Sequence, residues 1–462
     1  MIEQTKRLVD ELQDLGDGLI LRWATVADSV RLADFTAQAF RNQEADAPQS
    51  SYRAATLEMM SGRHPLIGPE DFVYVEDTRA GAIVSSACLL RQWWEYEGIP
   101  FAVGRPEYVA TDATYRNRGL IRALFAALHA RSAARGDLAQ GITGIPYFYR
   151  QFGYEYALEL EGGRALLPVT LPRLPAGEPE PYTLRAATAA DRPLIAALYE
   201  RERAGYAVSA TVPDEYWRYV LLPFSTPEYP GGEFDRKWWL RVIVDRAGAA
   251  CGYVRTGTTL WDDTLYVWDL VVREGVPLRV AALATLRALA ATGPDLIRAT
   301  EATGQQGVRF AKIMLNFGGE HPLYAALGGE IAPLVSPPYA WYVRVPDLPT
   351  FLTLITPALE RRLAGSPLAA WSGEVRLDFY RGGLRLTFEA GRLVAVAPWQ
   401  RPVWGERPHA SFPPHVFLQL LFGYRSLAAL RDAFPDVRAS GETAVLLDAL
   451  FPQCRSLMAM LD

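Results

Sequence analysis

The segment YVATDATYRNRGLIR, residues 108–122, decides the fold of this 462-residue chain. Its first residues read as a strand that stops at Asp112, and a short turn follows. From about Gly119 to Arg135 apolar residues recur three and four positions apart, which predicts an amphipathic helix. A strand, a tight turn and a helix opening together predict an α/β domain with a ligand site at the turn.

The turn is unusually basic for a chain of net charge −5. Arg116, Arg118 and Arg122 lie together at the predicted helix start, where cations oppose the helix dipole. Unpaired N–H groups and guanidinium groups at such a position bind phosphate, and Gly119 leaves no Cβ in the way. A solvated surface is the alternative interpretation, but the opposed dipole favours an anionic ligand.

The composition excludes several classes of protein. With 47 basic and 52 acidic residues, the chain has no global positive field for nucleic acid. Cys88, Cys251 and Cys454 form no CxxC pair, which predicts reduced thiols and a cytoplasmic location. The charged start is not a signal peptide, and no apolar run approaches the roughly 18 residues that span a bilayer, so we expect no membrane partner.

An internal repeat indicates a duplicated domain. LRWATVAD (residues 21–28) is matched by LRAATAAD (residues 184–191), and an apolar-periodic helix follows each copy. Thr25 and Thr188 are predicted to cap these helices through their hydroxyl groups. Strand-like runs and a further helix, residues 119–135 and about 278–289, follow in both halves.

The order of these patterns predicts an α/β (α+β) protein with three consecutive domains. Two mixed-sheet domains, residues 1–170 and 182–345, flank the proline-rich linker 171–181. The third domain, residues 347–462, combines an amphipathic helix at about 350–363 with three strands joined by turns at 381–383 and 390–392.

Two motifs resemble those of a known family. RNRGLI (residues 116–121), directly after a strand, resembles the Arg/Gln-x-x-Gly-x-Gly/Ala pyrophosphate loop of the GNAT N-acetyltransferases, with Ile121 in place of the usual small residue. FYRQFGY (residues 148–154) is similar to the Tyr-x-x-Phe-Gly-Tyr segment that ends that fold. The whole order resembles the enhanced intracellular survival (Eis) acetyltransferases, with a degenerate second GNAT-like domain and a sterol-carrier-like third one.

The resemblance implies that acetyl-CoA is the acetyl donor. In such a fold the backbone of β-strand residues pairs with the pantetheine arm, the loop wraps the pyrophosphate, and the next strand end lines the thioester. The residues implied are, in that order, Val109, Ala110 and Thr111; Asn117, Arg118, Gly119, Leu120, Ile121 and Arg122; and Gly144 and Ile145.

The resemblance also implies two catalytic groups. Tyr149 matches the proton donor to the departing thiolate, although an aromatic residue in this place also suits simple packing. The family's base is the terminal carboxylate, here the α-carboxylate of Asp462. Glu107, Asp112 and water remain rival bases, and each carboxylate also has an ordinary surface interpretation.

The second domain and the acceptor side carry weaker signals. In REGVPL (residues 273–278), Glu274 and Pro277 oppose phosphate binding, which predicts no cofactor there. The long polar stretch 41–69, with Glu44 and Asp46, is expected to cover the acceptor, and WWEY (residues 93–96) is predicted as an aromatic and acidic wall for a polycation, or as a packed hairpin.

These observations predict an acetyl-CoA-dependent N-acetyltransferase that acts on a primary amine, with an aminoglycoside- or polyamine-like acceptor implied by the resemblance. The five histidines have no metal-ligand spacing, so no metal is expected. The alternative is a non-catalytic CoA- or lipid-binding protein that uses the third domain. The resembling family also implies a homo-oligomer.

Overall fold

The computed structural model describes residues 12–41, 48–222, 238–439 and 441–459. The strands are β1 (Gln13–Gly16), β2 (Leu19–Trp23), β3 (Phe72–Asp77), β4 (Ala82–Tyr96), β5 (Ile99–Thr111), β6 (Ala139–Ile142), β7 (Glu155–Leu160), β8 (Gly163–Leu166), β9 (Tyr182–Ala186), β10 (Val208–Ala210), β11 (Trp238–Asp245), β12 (Ala250–Gly257), β13 (Thr264–Val272), β14 (Lys312–Leu315), β15 (Leu334–Ser336), β16 (Tyr339–Arg344), β17 (Gly373–Asp378), β18 (Gly383–Glu389), β19 (Arg392–Trp399), β20 (Ala410–Ser411), β21 (Arg438–Ala439) and β22 (Ser456–Leu457).

The described α-helices follow the same order. They are α1 (Ser29–Ala39), α2 (Ser50–Met59), α3 (Leu120–Ala134), α4 (Arg192–Arg203), α5 (Asp214–Leu221), α6 (Leu278–Ala291), α7 (Gly293–Ala302), α8 (Pro322–Leu327), α9 (Leu348–Leu354), α10 (Thr356–Ala364), α11 (Phe417–Leu421), α12 (Leu427–Ala433) and α13 (Gly441–Leu450). The mixed α/β class expected from the sequence is confirmed.

The first sheet has the strand order β1-β2-β3-β4-β5-β6-β16-β7. All its neighbours from β1 to β5 are antiparallel, and β6 then lies parallel to β5. β10 pairs with the far end of β4 and also with β22 near the end of the described chain. Helix α3 packs on this sheet through Leu124 and Leu128, both fully buried. Helix α3, which connects β5 to β6 in the chain, thus packs on the face of the first sheet.

The repeated segments adopt the same local structure. Each forms a 3₁₀ turn that leads into a helix, α1 in the first copy and α4 in the second. Asp28 Oδ2 accepts from both the N–H and the hydroxyl of Thr25, at 2.9 Å each, and Asp191 does the same for Thr188. The sequence predicted the threonine hydroxyl as the acceptor of the cap. The aspartate three residues on accepts as well, so that the threonine and the aspartate form a capping box in both copies.

The sheets do not follow the predicted domain boundaries. β8 lies within the predicted first domain but pairs with β14 of a second sheet, ordered β15-β8-β14-β13-β12-β11-β9. β16 lies within the predicted second domain but pairs with β6 of the first sheet. Strand exchange depends on long-range pairing, which local composition does not encode. By contacts, the chain forms two compact units, and the second comprises Glu159–Gly205 and Val212–Tyr339.

The third sheet, in the order β19-β18-β17-β20-β21, belongs to the first unit. Its predicted turns lie at Gly382 and Gly391, whose φ angles of 152° and 81° favour glycine. The helix predicted over 350–363 is two helices, α9 and α10, because Pro357 stands in the first turn of the second and has no N–H to continue the first.

No single helix in the described ranges is long and apolar enough to cross a bilayer. Helices α6 and α7, which meet at a bend of 50°, satisfy that length and composition only as a pair.

Candidate active site

The central feature of the first sheet is an opening between β5 and β6. Their parallel pairing consists of Val103 with Ala139 and Gly104 with Gln140. Beyond Gly104, β5 continues to Thr111 and stays paired with β4. Within the described residues, the other edge of β5 has no strand partner there. This edge, which includes Val109, Ala110 and Thr111, therefore offers backbone groups to a ligand that lies like an added strand.

The loop that follows β5 is built from unusual backbone conformations. Asp112 caps a 3₁₀ turn by accepting from Thr114, at 2.8 Å from its backbone N and 2.6 Å from its hydroxyl. Asn117 and Gly119 then adopt φ angles of 63° and 79° in the left-handed region. No side chain caps the helix that starts at Leu120, and a Cβ built on Gly119 would meet nothing within 4 Å. The first N–H groups of α3 thus open onto free space.

The arginines of the loop lie on its exposed side, as a phosphate site requires. Arg116, Arg118 and Arg122 are all exposed. Arg118 also lies 5.3 Å from the ring centre of Tyr115 and forms a 3.7 Å ion pair with Asp17. These two contacts hold one guanidinium close to the helix opening.

The other predicted residues of this loop contribute through their backbone. The side chain of Leu120 is buried in the core between α3 and the sheet, and Ile121 packs against the same core. Because both side chains face inward, only their N–H groups are directed at the helix opening. The large residue at position 121 therefore does not obstruct the loop.

The opposite side of the opening is the loop after β6. Gly144, with φ 113°, is exposed, and the side chain of Ile145 is 56% exposed. A Cβ on Gly144 would lie 3.9 Å from the hydroxyl oxygen of Tyr149. Glycine here leaves the phenol hydroxyl close to the backbone at the end of β6.

Tyr149 lies in a 3₁₀ turn, Phe148–Phe152, at the inner end of the opening. Its ring is 4% exposed and packs against Phe125 and Tyr342, at centroid distances of 5.6 and 5.4 Å. Burial raises the pKa of this phenol, and the negative charge of Glu107 on β5 raises it further. The hydroxyl thus lies near the backbone of Gly144 and stays protonated at neutral pH.

The three candidate bases have different surroundings. Glu107 is ion-paired with Arg105, a fully buried guanidinium that lies 4.8 Å from the ring centre of Trp341. One carboxylate oxygen of Asp112 is engaged by Thr114, as described above. Asp462 lies outside the described residues, as do Glu44 and Asp46 of the predicted acceptor cover. The described tail nevertheless reaches this unit, since β22 pairs with β10 beside β4.

The side chains of the predicted wall at residues 93–96 alternate between the two faces of β4. Trp93 is 50% exposed, with the Arg91 guanidinium 5.7 Å from its ring centre, and Glu95 lies on the same face of β4. Trp94 and Tyr96 are buried on the other face, because side chains alternate along a strand. Only half of the predicted wall therefore faces outward.

An aromatic cluster that the sequence did not predict forms around Tyr108, the residue after Glu107 in β5. Phe40 and Tyr52 stack at 4.5 Å, and both meet Tyr108 edge-on at 5.9 and 5.7 Å. Tyr108 has a φ of 52° and stands at the point where the register between β4 and β5 shifts. The three rings are distant in sequence, so no motif could have brought them together.

The second sheet has a similar opening between β13 and β14, but different residues surround it. β13 and β14 pair in parallel from Thr264 to Val267 and then separate, and α6 starts after Pro277. Tyr324 takes the place of Tyr149 in order along the chain. Its hydroxyl lies 3.1 Å from the carbonyl oxygen of Leu315 and 3.0 Å from that of Gly318, so the backbone engages it.

Metal chemistry has no candidate among the described residues, where no three His, Cys, Asp or Glu side chains form a group that could hold an ion. The described histidines lie apart from one another, and the three cysteines are free thiols.

Comparisons with known proteins agree with this geometry. Residues 21–157 match the family model described as an acetyltransferase (GNAT) domain. Over the whole chain, the structure is similar to GCN5-related N-acetyltransferases from Kribbella flavida (19% identity, 96% of this chain and 98% of that chain covered, TM-score 0.61) and Anabaena variabilis (14%, 95% and 99%, 0.62). It is also similar to Eis1 from Mycobacterium abscessus (17%, 93% and 96%, 0.54). No curated protein matched in sequence.

Residues 21–157 thus match an acetyltransferase domain of the GNAT type. The chain as a whole has the fold of GNAT proteins that include Eis, so the resemblance read from residues 116–121 and 148–154 is confirmed. This fold supports acyl transfer in general, and GNAT domains generally use acetyl-CoA as the donor.

The half-buried His129 on α3 makes the stability depend on pH. His129 Nε2 lies 2.9 Å from the hydroxyl of Tyr154, and burial, with a smaller effect of Arg344, lowers the pKa of His129 to about 3. The folded protein therefore keeps this ring neutral, while the unfolded chain protonates it below about pH 6.5. The contribution to stability is complete above pH 6.5 and is lost as the pH falls from there towards 3.

We expect His129→Gln, which keeps an acceptor for Tyr154, to remove this dependence. Between pH 7 and pH 5 the free energy of unfolding of the wild type should fall by about 2 kcal/mol more than that of the variant. Urea unfolding at both pH values measures the difference, and equal losses in the two proteins would show that His129 is not held neutral by the fold.

Proposed function

We propose that this protein transfers the acetyl group of acetyl-CoA to a primary amine, directly and within a ternary complex. One observation carries the proposal: the opening between β5 and β6 has an uncapped helix start with exposed arginines at one end and a protonated, buried phenol at the other. A thioester joined to a diphosphate through an extended arm has the same order of groups.

The donor fits this opening group by group. The free edge of β5 at Val109, Ala110 and Thr111 is suited to the amides of the pantetheine arm. The N–H groups from Asn117 to Arg122, with the guanidinium groups of Arg118 and Arg122, are suited to the diphosphate. Gly144 and Ile145 are assigned to the thioester end, and the hydroxyl of Tyr149 beside Gly144 supports this assignment.

Tyr149 is assigned as the acid. When the amine attacks the acetyl carbon and the C–S bond breaks, the sulfur leaves as a thiolate and needs a proton. A phenol that burial keeps protonated has that proton available at neutral pH, and the pKa of Tyr149 is raised in this way. Glycine at position 144 places no side chain next to the hydroxyl, since a Cβ there would lie 3.9 Å from it.

The base is assigned to the α-carboxylate of Asp462, with Glu107, Asp112 and water as alternatives. The described tail supports this choice, since Ser456–Leu457 joins the edge strand beside β4 and Ala459 is buried. The charge of Glu107 acts on Tyr149, but the Glu107 carboxylate is already ion-paired with Arg105. Asp112 is committed to Thr114.

A cationic acceptor fits the surroundings of Glu107. Tyr108, the residue after Glu107 in β5, packs with Phe40 and Tyr52, and aromatic faces together with carboxylates attract ammonium groups. An aminoglycoside or a polyamine belongs to this class. Carriage of a lipid by the third sheet has less support, since Leu377 and Leu386 on its inner face are fully buried.

The double variant Arg118→Ala/Arg122→Ala should raise the KM for acetyl-CoA at least tenfold and change kcat little. Two charge-assisted contacts to phosphate are lost, while the reacting atoms are untouched. Steady-state release of CoA thiol measures both constants. Arg385→Ala/Arg392→Ala, which removes two surface arginines of the third sheet, is the charge-matched control. An unchanged KM in the loop variant would refute the phosphate site.

Tyr149→Phe should lower kcat by about 100-fold or more, because the thiolate loses its proton donor. The ring packing is kept, so the affinity for acetyl-CoA, measured by calorimetry, should stay within about twofold. Tyr154→Phe removes another buried hydroxyl of the same cluster and serves as the control. Full turnover by Tyr149→Phe would contradict the assignment.

Deletion of Asp462 should lower kcat about tenfold or more and shift the acidic limb of the pH–rate profile, since a neighbouring group or water must then accept the proton. Glu107→Gln, measured in parallel, separates the two carboxylates. Normal rates after the deletion, with a large loss in Glu107→Gln, would move the role of base to Glu107.

A further inference from the structure

The loop that carries Gly144 and Ile145 is tied down by two tyrosines from distant parts of the chain. Tyr342 lies on β16, 197 residues from Ile145, and its hydroxyl is 3.0 Å from the Ile145 carbonyl oxygen. The hydroxyl of Tyr156, on β7, lies 2.7 Å from that of Tyr342 and 3.0 Å from the backbone N of Tyr147.

The two hydroxyl groups link both ends of the loop. The N–H of Tyr147 donates to the Tyr156 hydroxyl, and the Tyr342 hydroxyl lies within donating distance of both the Ile145 carbonyl oxygen and the Tyr156 hydroxyl oxygen. Because a hydroxyl has a single proton, Tyr342 donates to one of these two acceptors at a time. The two ends of the loop are thus closed into a circuit by two hydroxyl groups, which we call the tyrosine clamp (Tyr156 and Tyr342).

The clamp acts on the backbone directly before Tyr149. Tyr147 has a φ of 60° and stands at the start of the 3₁₀ turn that contains Tyr149. A non-glycine residue in this region is strained and persists only where its surroundings hold it. The N–H of Tyr147 is the group that the clamp holds.

The clamp also fixes the Tyr149 ring. Tyr342 is fully buried, and its ring meets that of Tyr149 edge-on at 5.4 Å and lies 4.2 Å from that of Tyr156. A phenol must be placed within hydrogen-bond reach of the atom that it protonates, and a displacement of about 1 Å can cost about 100-fold in rate.

We infer that Tyr342 is a positioning residue for acetyl transfer: its hydroxyl, with that of Tyr156, holds the loop from Gly144 to Tyr147 so that the Tyr149 hydroxyl faces the opening. This inference rests on the proposed function. It makes a strand that follows the second unit in sequence a working part of the first domain's site.

Tyr342→Phe tests the clamp, because it removes the hydroxyl and keeps the ring. We expect kcat to fall about tenfold while the KM for acetyl-CoA stays within about twofold, since residues 116–122 are untouched. Tyr156→Phe should have the same effect, and the double variant should lose little more than either single variant, because the two hydroxyl groups form one circuit. Additive losses would contradict the circuit.

Tyr154→Phe is the matched control. Its hydroxyl is also buried and bonded, but to His129 on α3 instead of the loop. It should lose thermal stability comparably and keep kcat within about twofold. An equal loss of kcat in Tyr154→Phe would mean that Tyr342 acts only through general stability, and the inference would fall.

Hydrogen exchange separates this inference from the proposed function. Amides of residues 143–149 should exchange at least about tenfold faster in Tyr342→Phe than in the wild type or in Tyr154→Phe. Unchanged exchange, or faster exchange with unchanged kcat, would overturn the positioning role. A wild type that transfers acetyl to no amine in a broad panel would instead overturn the proposed function, whatever the exchange shows.

Discussion

The candidate site depends on the short parallel contact between β5 and β6, which pair over only two residue pairs and then separate. At the point of contact, Gly104 lies so close to α3 that a Cβ would meet Ser132 Oγ at 2.5 Å. Ser132 donates to Asp137 at 2.8 Å and accepts from Gln140 Nε2 at 3.0 Å. This buried polar network joins the end of α3 to β5 and β6, and so fixes the vertex of the opening.

A second strand reinforces the vertex from outside. Arg344, at the end of β16, donates to Gln140 Oε1 at 2.6 Å, while Tyr342 on the same strand reaches the loop after β6. Arg91 on β4 adds a 3.1 Å contact to Asp137. One short strand thus secures both the closed end of the opening and its inner loop. The first sheet is complete only when β16 (Tyr339–Arg344) has paired with β6, about 200 residues earlier in the chain. Pairing between such distant segments gives this unit a high contact order and favours slow folding.

Features that depend on residues close together in the chain could be predicted from the sequence. The loop at residues 112–119 could be predicted because Asp112, Gly119 and two arginines lie within one turn, with Arg122 in the helix that follows. The repeat at Thr25 and Thr188 predicts the duplicated start, since the capping aspartate lies three residues on in both copies. The partner of β6, by contrast, is a strand that lies beyond the second unit in sequence, and no periodicity near residue 142 specifies it. Tyr342 and the rings of Phe40 and Tyr52 were missed for the same reason, because their roles arise only from tertiary pairing.

The second sheet has a similar opening with different residues around it. It has the same parallel contact followed by separation, and a tyrosine at the corresponding place. There the hydroxyl of Tyr324 is engaged by the carbonyl groups of Leu315 and Gly318, and the residues before α6 supply Glu274 and Pro277 where the first sheet has arginines and glycine. A phenol whose proton is committed to the backbone cannot give it to a leaving group, and an acidic turn repels a diphosphate. The two halves differ in which hydroxyl groups bond the loop backbone: in the first these belong to tyrosines on β7 and β16, whereas in the second the hydroxyl is that of Tyr324 itself.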